Sequence, residues 1–164
     1  MFLFSPLKQK IQHMSIGSTI FSFLKITILG GILFFLDVFF FFYTGTMFMI
    51  QISKVQGTKF TPSFDKIFPA IACYLSLLCL FYFFVLDNNQ SFIEKMWRAF
   101  LLGFLVYAVF ETTNKTIFDN WSLMTVIIDT LWGGILFCLT FISSTLINYG
   151  LEKLFSFLSL LGLM

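Results

Sequence analysis

Apolar residues fall into four long blocks separated by short polar stretches. From Ile20 to Ile50 only Lys25 and Asp37 carry charge. That run exceeds the ~20 residues needed to cross a hydrocarbon core, and it predicts a first helix over about 26–46. Gln51 to Lys66 is polar and contains the breakers Gly57 and Pro62, so it predicts a connector. Ile67 to Leu86 has no charge and predicts a second span, with Pro69 in its first turn, where a missing N–H costs little. The segment DNNQSFIEK reads as a turn and short connector, and Trp97 and Arg98 mark an interface ahead of a third span over 97–117. A fourth block over 123–147 contains Asp129. Asn148–Gly150 are expected to break that helix. Residues 148–164 then form a tail that lies along the interface or prolongs the last helix.

The pattern predicts an all-α protein: an integral membrane bundle of four transmembrane helices with short interfacial tails. Residues 1–21 form the N-terminal tail and 22–147 the membrane domain. The first apolar run is too long for a signal-peptide core and no A-x-A-like site follows, so an uncleaved anchor is expected. The third span is the weak one. Ala99 to Phe110 supplies only a dozen apolar residues before Glu111 and Lys115. These lie four apart, so the reading expects them to pair on one helical face. A lone charge at mid-membrane costs roughly 2.5–3.5 kcal/mol on the insertion scale, against ~0.3–0.6 returned by each Leu or Phe. This span should need its neighbours.

Composition agrees. Of 164 residues 59% are hydrophobic and 11% charged, against about 25% charged in a soluble domain. Phenylalanine reaches 26 residues, which also fits the codon usage of an AT-rich genome. The net charge of +2 is small and the basic residues are scattered, which excludes nucleic acid as a partner. The partners implied are the lipid bilayer and, optionally, further copies of the chain in a homo-oligomer. With an even number of spans both termini share one side. That side carries Lys8, Lys10, Lys25, Lys95, Arg98 and Lys153, against Lys54, Lys59, Lys66 and Lys115 on the other, a slight bias toward cytoplasmic termini. Cys73, Cys79 and Cys138 have no C-x-x-C spacing and read as small reduced core residues, so no metal site or cofactor is expected. The sequons at Asn89, Asn114 and Asn120 cannot all be used, because the first lies on the opposite side from the others. No enzyme motif is present, the only histidine is His13 in the tail, and no catalytic residue is assigned.

The chemistry lies in three intramembrane acids, each a functional hypothesis by position. Glu111 is nine residues before Asn120 and Asp129 nine after it. In an antiparallel hairpin turning there, both lie about 13 Å along the helix from the turn. Asp37 is nine residues before Thr46, where the first span ends on the same side. All three therefore share one half of the bilayer. Helical spacing groups Asp37 with Gly30, Phe34, Phe41 and Thr44. It groups Glu111 with Tyr107, Asn114 and Lys115, and Asp129 with Thr125, Trp132 and Gly133. Tyr107, Asn114, Lys115, Thr125 and Trp132 are the expected polar shell, and Gly30, Gly31, Gly133 and Gly134 the expected sites of close helix approach. Three negative charges cannot share a dry site with one lysine. Either protons stay on, or a cation or water enters. The expected function is a proton or small-cation channel or carrier. The alternative is a structural protein whose acids hold helix packing.

The stretch YAVFETTNKTIFDNWSLMTVIIDTLWG resembles a small multi-pass membrane family known as domain of unknown function 2177. Tyr107, Ala108, Glu111, Thr113, Asn114, Trp121, Asp129, Trp132 and Gly133 fall on its pattern of Y-A-x-Y-D-x-T-N, a Trp turn and D-x-x-W-G. Leu36–Asp37 with Tyr43, and Pro69–Ala70 with Tyr74, resemble its first two spans. The departures are Glu111 for Asp, Phe110 for Tyr, Phe40 for Trp and Ser122 for Pro. The resemblance covers about residues 22–147 and implies a four-span membrane protein with no particular activity.

Overall fold

The computed structural model describes residues 16–61, 63–86 and 90–160. The tail residues Lys8, Lys10 and His13, together with Pro62, Asn89 and the last four residues, lie outside the described residues. The described residues form four helices: α1 (Ile16–Gln56), α2 (Ile67–Phe81), α3 (Phe92–Ile117) and α4 (Leu123–Leu160). A single 3-10 turn, Phe64–Lys66, leads into α2, and a π-helical turn, Tyr82–Leu86, continues it. No strand occurs among the described residues. The stretches Phe23–Gln56, Phe64–Leu86 and Leu123–Leu154 are long and apolar enough to cross a membrane, with mean hydropathies of 2.2, 2.2 and 1.9. The charges of α3 keep it out of that group. It is held instead by packing along α4.

Two helices are longer than the apolar pattern suggests. α1 has 41 residues and α4 has 38, on the order of 60 Å each at 1.5 Å per residue. Both outrun the hydrocarbon core. Gln51 to Gln56 is therefore helix, not connector. Polarity there marks departure from lipid, and the helix itself ends at Gly57, whose φ of +68° is the left-handed geometry that suits a C-terminal cap. Asn148–Gly150 does not break α4. One glycine costs about 1 kcal/mol in a helix, and local contacts offset it. Lys153 sits 4.8 Å over the Tyr149 ring, and Glu152 pairs with Lys25 at 3.0 Å. α3 begins earlier than the third-span estimate because Ser91 and Glu94 form a capping box. Glu94 accepts from the Ser91 backbone N–H at 2.9 Å, and the Ser91 hydroxyl accepts from the Glu94 N–H at 3.4 Å.

The closest helix contact is between α3 and α4. A Cβ at Gly103 would overlap the Gly133 carbonyl, and one at Gly133 would overlap the Tyr107 ring. At Gly134 it would meet the Phe100 ring at 2.7 Å, and at Gly30 the Leu78 side chain at 3.0 Å. Gly31 has nothing within 4 Å and plays no part in packing. Its position one residue from Gly30 turns it about 100° away. The core joins Leu29 and Leu33 of α1 and Phe81 of α2 to Ala99 of α3 and Leu136, Phe137 and Phe141 of α4. Cys73 and Cys79 are free and exposed, so they are not core residues. Cys138 is half-buried.

Candidate functional site

Four helices contribute to one cavity of about 440 Å³, and Asp37, Glu111 and Asp129 all line it. Each acid comes from a different helix: Asp37 from α1, Glu111 from α3 and Asp129 from α4. α2 adds Tyr74. The antiparallel α3–α4 hairpin, turning over Asp119 and Asn120, sets Glu111 and Asp129 level. α1 packs along α4 and brings Asp37 to the same place.

The three carboxylates are held differently. Asp37 accepts two hydrogen bonds, from the Tyr74 hydroxyl at 2.5 Å and from the Trp132 indole N–H at 3.0 Å. One side chain thereby ties α1 to α2 and α4. Trp132 is fixed in turn by stacking on Phe40, at 4.2 Å between centroids and 5° between planes. Glu111 is fully buried. Its Oε2 accepts from the Trp121 indole N–H at 2.7 Å, and its Oε1 has no donor. Asp129 is buried and lines the same cavity as Glu111.

Among the described residues no basic side chain lines the cavity. The expected Glu111–Lys115 pair does not form. Lys115 is exposed and donates to the Asp119 carbonyl at 3.2 Å, in the turn. The reason is cost. A long cation can reach the interface carbonyls from the last turn of α3, where it keeps contact with water instead of entering the core. Of the remaining expected shell, Tyr107 lines the cavity and Trp132 serves Asp37. Asn114 is half-buried and does not line the cavity, although its carbonyl caps the end of α3 by accepting from the Phe118 N–H at 2.8 Å. Thr125 is fully buried with its hydroxyl unpaired, also outside the lining. Tyr74 and Trp121 are the carboxylate donors that helical spacing missed. Both stand on other elements than the acid they serve, so no periodicity joins them, although both lie on the family pattern.

The cavity has a defined direction. Val38, Phe41 and Phe110 line it and are also exposed on the outer faces of α1 and α3, so it opens on the side of the bundle. Phe48, Ile52 and Trp121 carry its lining toward the end of the bundle where α3 turns into α4. A second cavity of about 280 Å³ lies near the other end, lined by Lys25, Tyr82, Ser144 and Asn148 among others. Along α1 and α4, Leu29, Leu33, Leu136 and Phe137 occupy the length between the two.

Apolar helices of spanning length, with acids turned inward around a cavity, define a multi-pass α-helical membrane protein. The chain belongs to the family described as predicted membrane protein (DUF2177), whose sequence model matches residues 20–146. No curated protein and no solved structure matches it.

Proposed function

We propose that the chain is a membrane carrier or channel that takes up a proton or a cation at Asp37, Glu111 and Asp129, with α3 crossing the bilayer as a fourth span. The observation that supports this is the convergence of three acids on one cavity, with no base in its lining among the described residues. Burying a carboxylate is costly unless it is paired, and three donors cover only part of the demand. Asp37 is satisfied on both oxygens and acts as the anchor. Glu111 and Asp129 are the exchanging pair. They hold a proton between them, or take up a cation in its place. The assay is flux into liposomes carrying the purified protein. Asp129→Asn preserves shape, so the protein inserts and flux stops. Wild-type liposomes silent to protons and to every cation tried would end the proposal.

The Asp37 linkage favours a second reading, in which the acids only lock helix packing. Asp129→Asn would then lower resistance to detergent unfolding, and the wild type would show no flux. Cross-helix hydrogen bonds average only ~0.6 kcal/mol where measured, so packing alone rewards the three acids weakly.

A further inference from the structure

We propose that the cation taken by this cavity is organic: an ammonium-type cation with aromatic or alkyl substituents, entering sideways from the lipid. This rests on the reading of the carboxylates as a cation site and adds the substrate class. Size is the first argument. The cavity holds about 440 Å³, inside the ~300–1,000 Å³ typical of small-molecule sites. A bare inorganic ion, smaller than the ~30 Å³ share of one water, would leave most of it empty.

The donor arrangement is the second argument. Inorganic cations such as calcium take six to eight oxygens converging on one point. Here the Tyr74, Trp132 and Trp121 donors already engage three carboxylate oxygens. Among the described residues no group of three His, Cys, Asp or Glu side chains converges closely enough to hold a metal ion. A bulky organic cation asks for less: one negative partner for its charge and apolar surface for its substituents. The Glu111–Asp129 pair offers the first. Phe40, Phe48, Tyr107, Phe110 and Trp121 line the cavity and offer the second, with ring faces that attract a cation.

The entrance is the third argument. Its rim of Val38, Phe41 and Phe110 is exposed on the side of the bundle, and with α1 and α3 crossing the bilayer it meets lipid, where an amphiphilic cation concentrates and a hydrated inorganic ion does not. Exchange keeps charge balanced. One monovalent cation enters, and one proton leaves the Glu111–Asp129 pair for water.

The test uses the full-length protein in detergent micelles, in weak buffer with a pH indicator, titrated with tetraphenylphosphonium, benzyltrimethylammonium, Na⁺ and K⁺. The expected result is saturable binding of an aromatic cation with release of about one proton per cation bound. Asp129→Asn should abolish the proton release. Phe48→Leu, which keeps an apolar side chain but removes a ring, should weaken binding about 3- to 30-fold. Proton release driven by Na⁺ or K⁺, with no binding of either aromatic cation, would overturn this inference and leave the proposed function standing. Equally tight binding of the neutral carbon analogue neopentylbenzene would also overturn it, because the pocket would then be merely greasy. Failure of every cation to release a proton would overturn both.

Discussion

Replacing Tyr74 by Phe deletes one hydroxyl from the Asp37 linkage and little else. The ring keeps its edge-to-face contact with Phe34, at 5.4 Å between centroids. The lost bond is the shorter of the two on Asp37, 2.5 Å against 3.0 Å for Trp132, and it is short for an O–H···O bond, whose usual spacing is about 2.7–2.8 Å. Measured cross-helix bonds in membranes average ~0.6 kcal/mol and reach ~1.7. A short bond to a carboxylate belongs near the upper figure, so Tyr74→Phe should cost about 1.5 kcal/mol. Asp37→Asn keeps the shape but turns one acceptor into a donor. Its amide cannot accept from both the phenol and the indole. In the double variant the amide oxygen can serve Trp132, and its nitrogen can occupy the side that Tyr74 has vacated. The two losses therefore should not add, and a double-mutant cycle should report a coupling of about 1 kcal/mol. Reversible unfolding of the purified protein by dodecyl sulfate in mixed micelles gives the four free energies. A coupling below ~0.3 kcal/mol would refute the claim that this carboxylate joins three helices.

The glycine seam predicts a graded series by the same unfolding assay. Gly103→Ala, opposed by backbone, should cost about 1–3 kcal/mol, whereas Gly31→Ala, in open space, should be neutral or slightly stabilising. Equal effects would show that the helices do not approach there. At the start of α3, Ser91→Ala should cost about 1 kcal/mol. The Glu94 carboxyl in that cap is held below its usual range, first by the Ser91 backbone N–H and then by the Ser91 hydroxyl. Because the folded value is the lower one, the stabilisation is present above the ordinary carboxylate value and is lost as pH falls through the folded value. Protection factors of the amides over residues 92–95, corrected for the intrinsic pH dependence of exchange, should fall as the Glu94 carboxyl protonates on acidification in the wild type, and much less in Glu94→Gln.

Much of the site was legible because membranes impose simple geometry. With ~1.5 Å per residue and a slab of fixed thickness, counting from a turn places Glu111 and Asp129 at one depth, and counting from the end of the first span adds Asp37. Depth is one-dimensional and survives errors in helix ends. The misreadings arose where a second dimension was needed. Gly31 and Gly30 differ by one residue, yet only Gly30 meets α2. Lys115 lies on the same face as Glu111 and still turns to the Asp119 carbonyl. Helix ends were misjudged where a change of solvent was taken for a change of backbone.

The run of apolar residues alone determined that this is a helical membrane protein, because a segment with so few charges must satisfy its backbone within itself and bury its side chains in lipid. It also determined which residues are too costly to be there by chance. Only the tertiary structure decided which donor serves which acid. Tyr74 lies 37 residues from Asp37 and Trp132 lies 95 away, and such pairings depend on how each helix is rotated about its axis. That rotation is set by small contacts such as Gly103 against Gly133, which no periodicity within a single helix encodes.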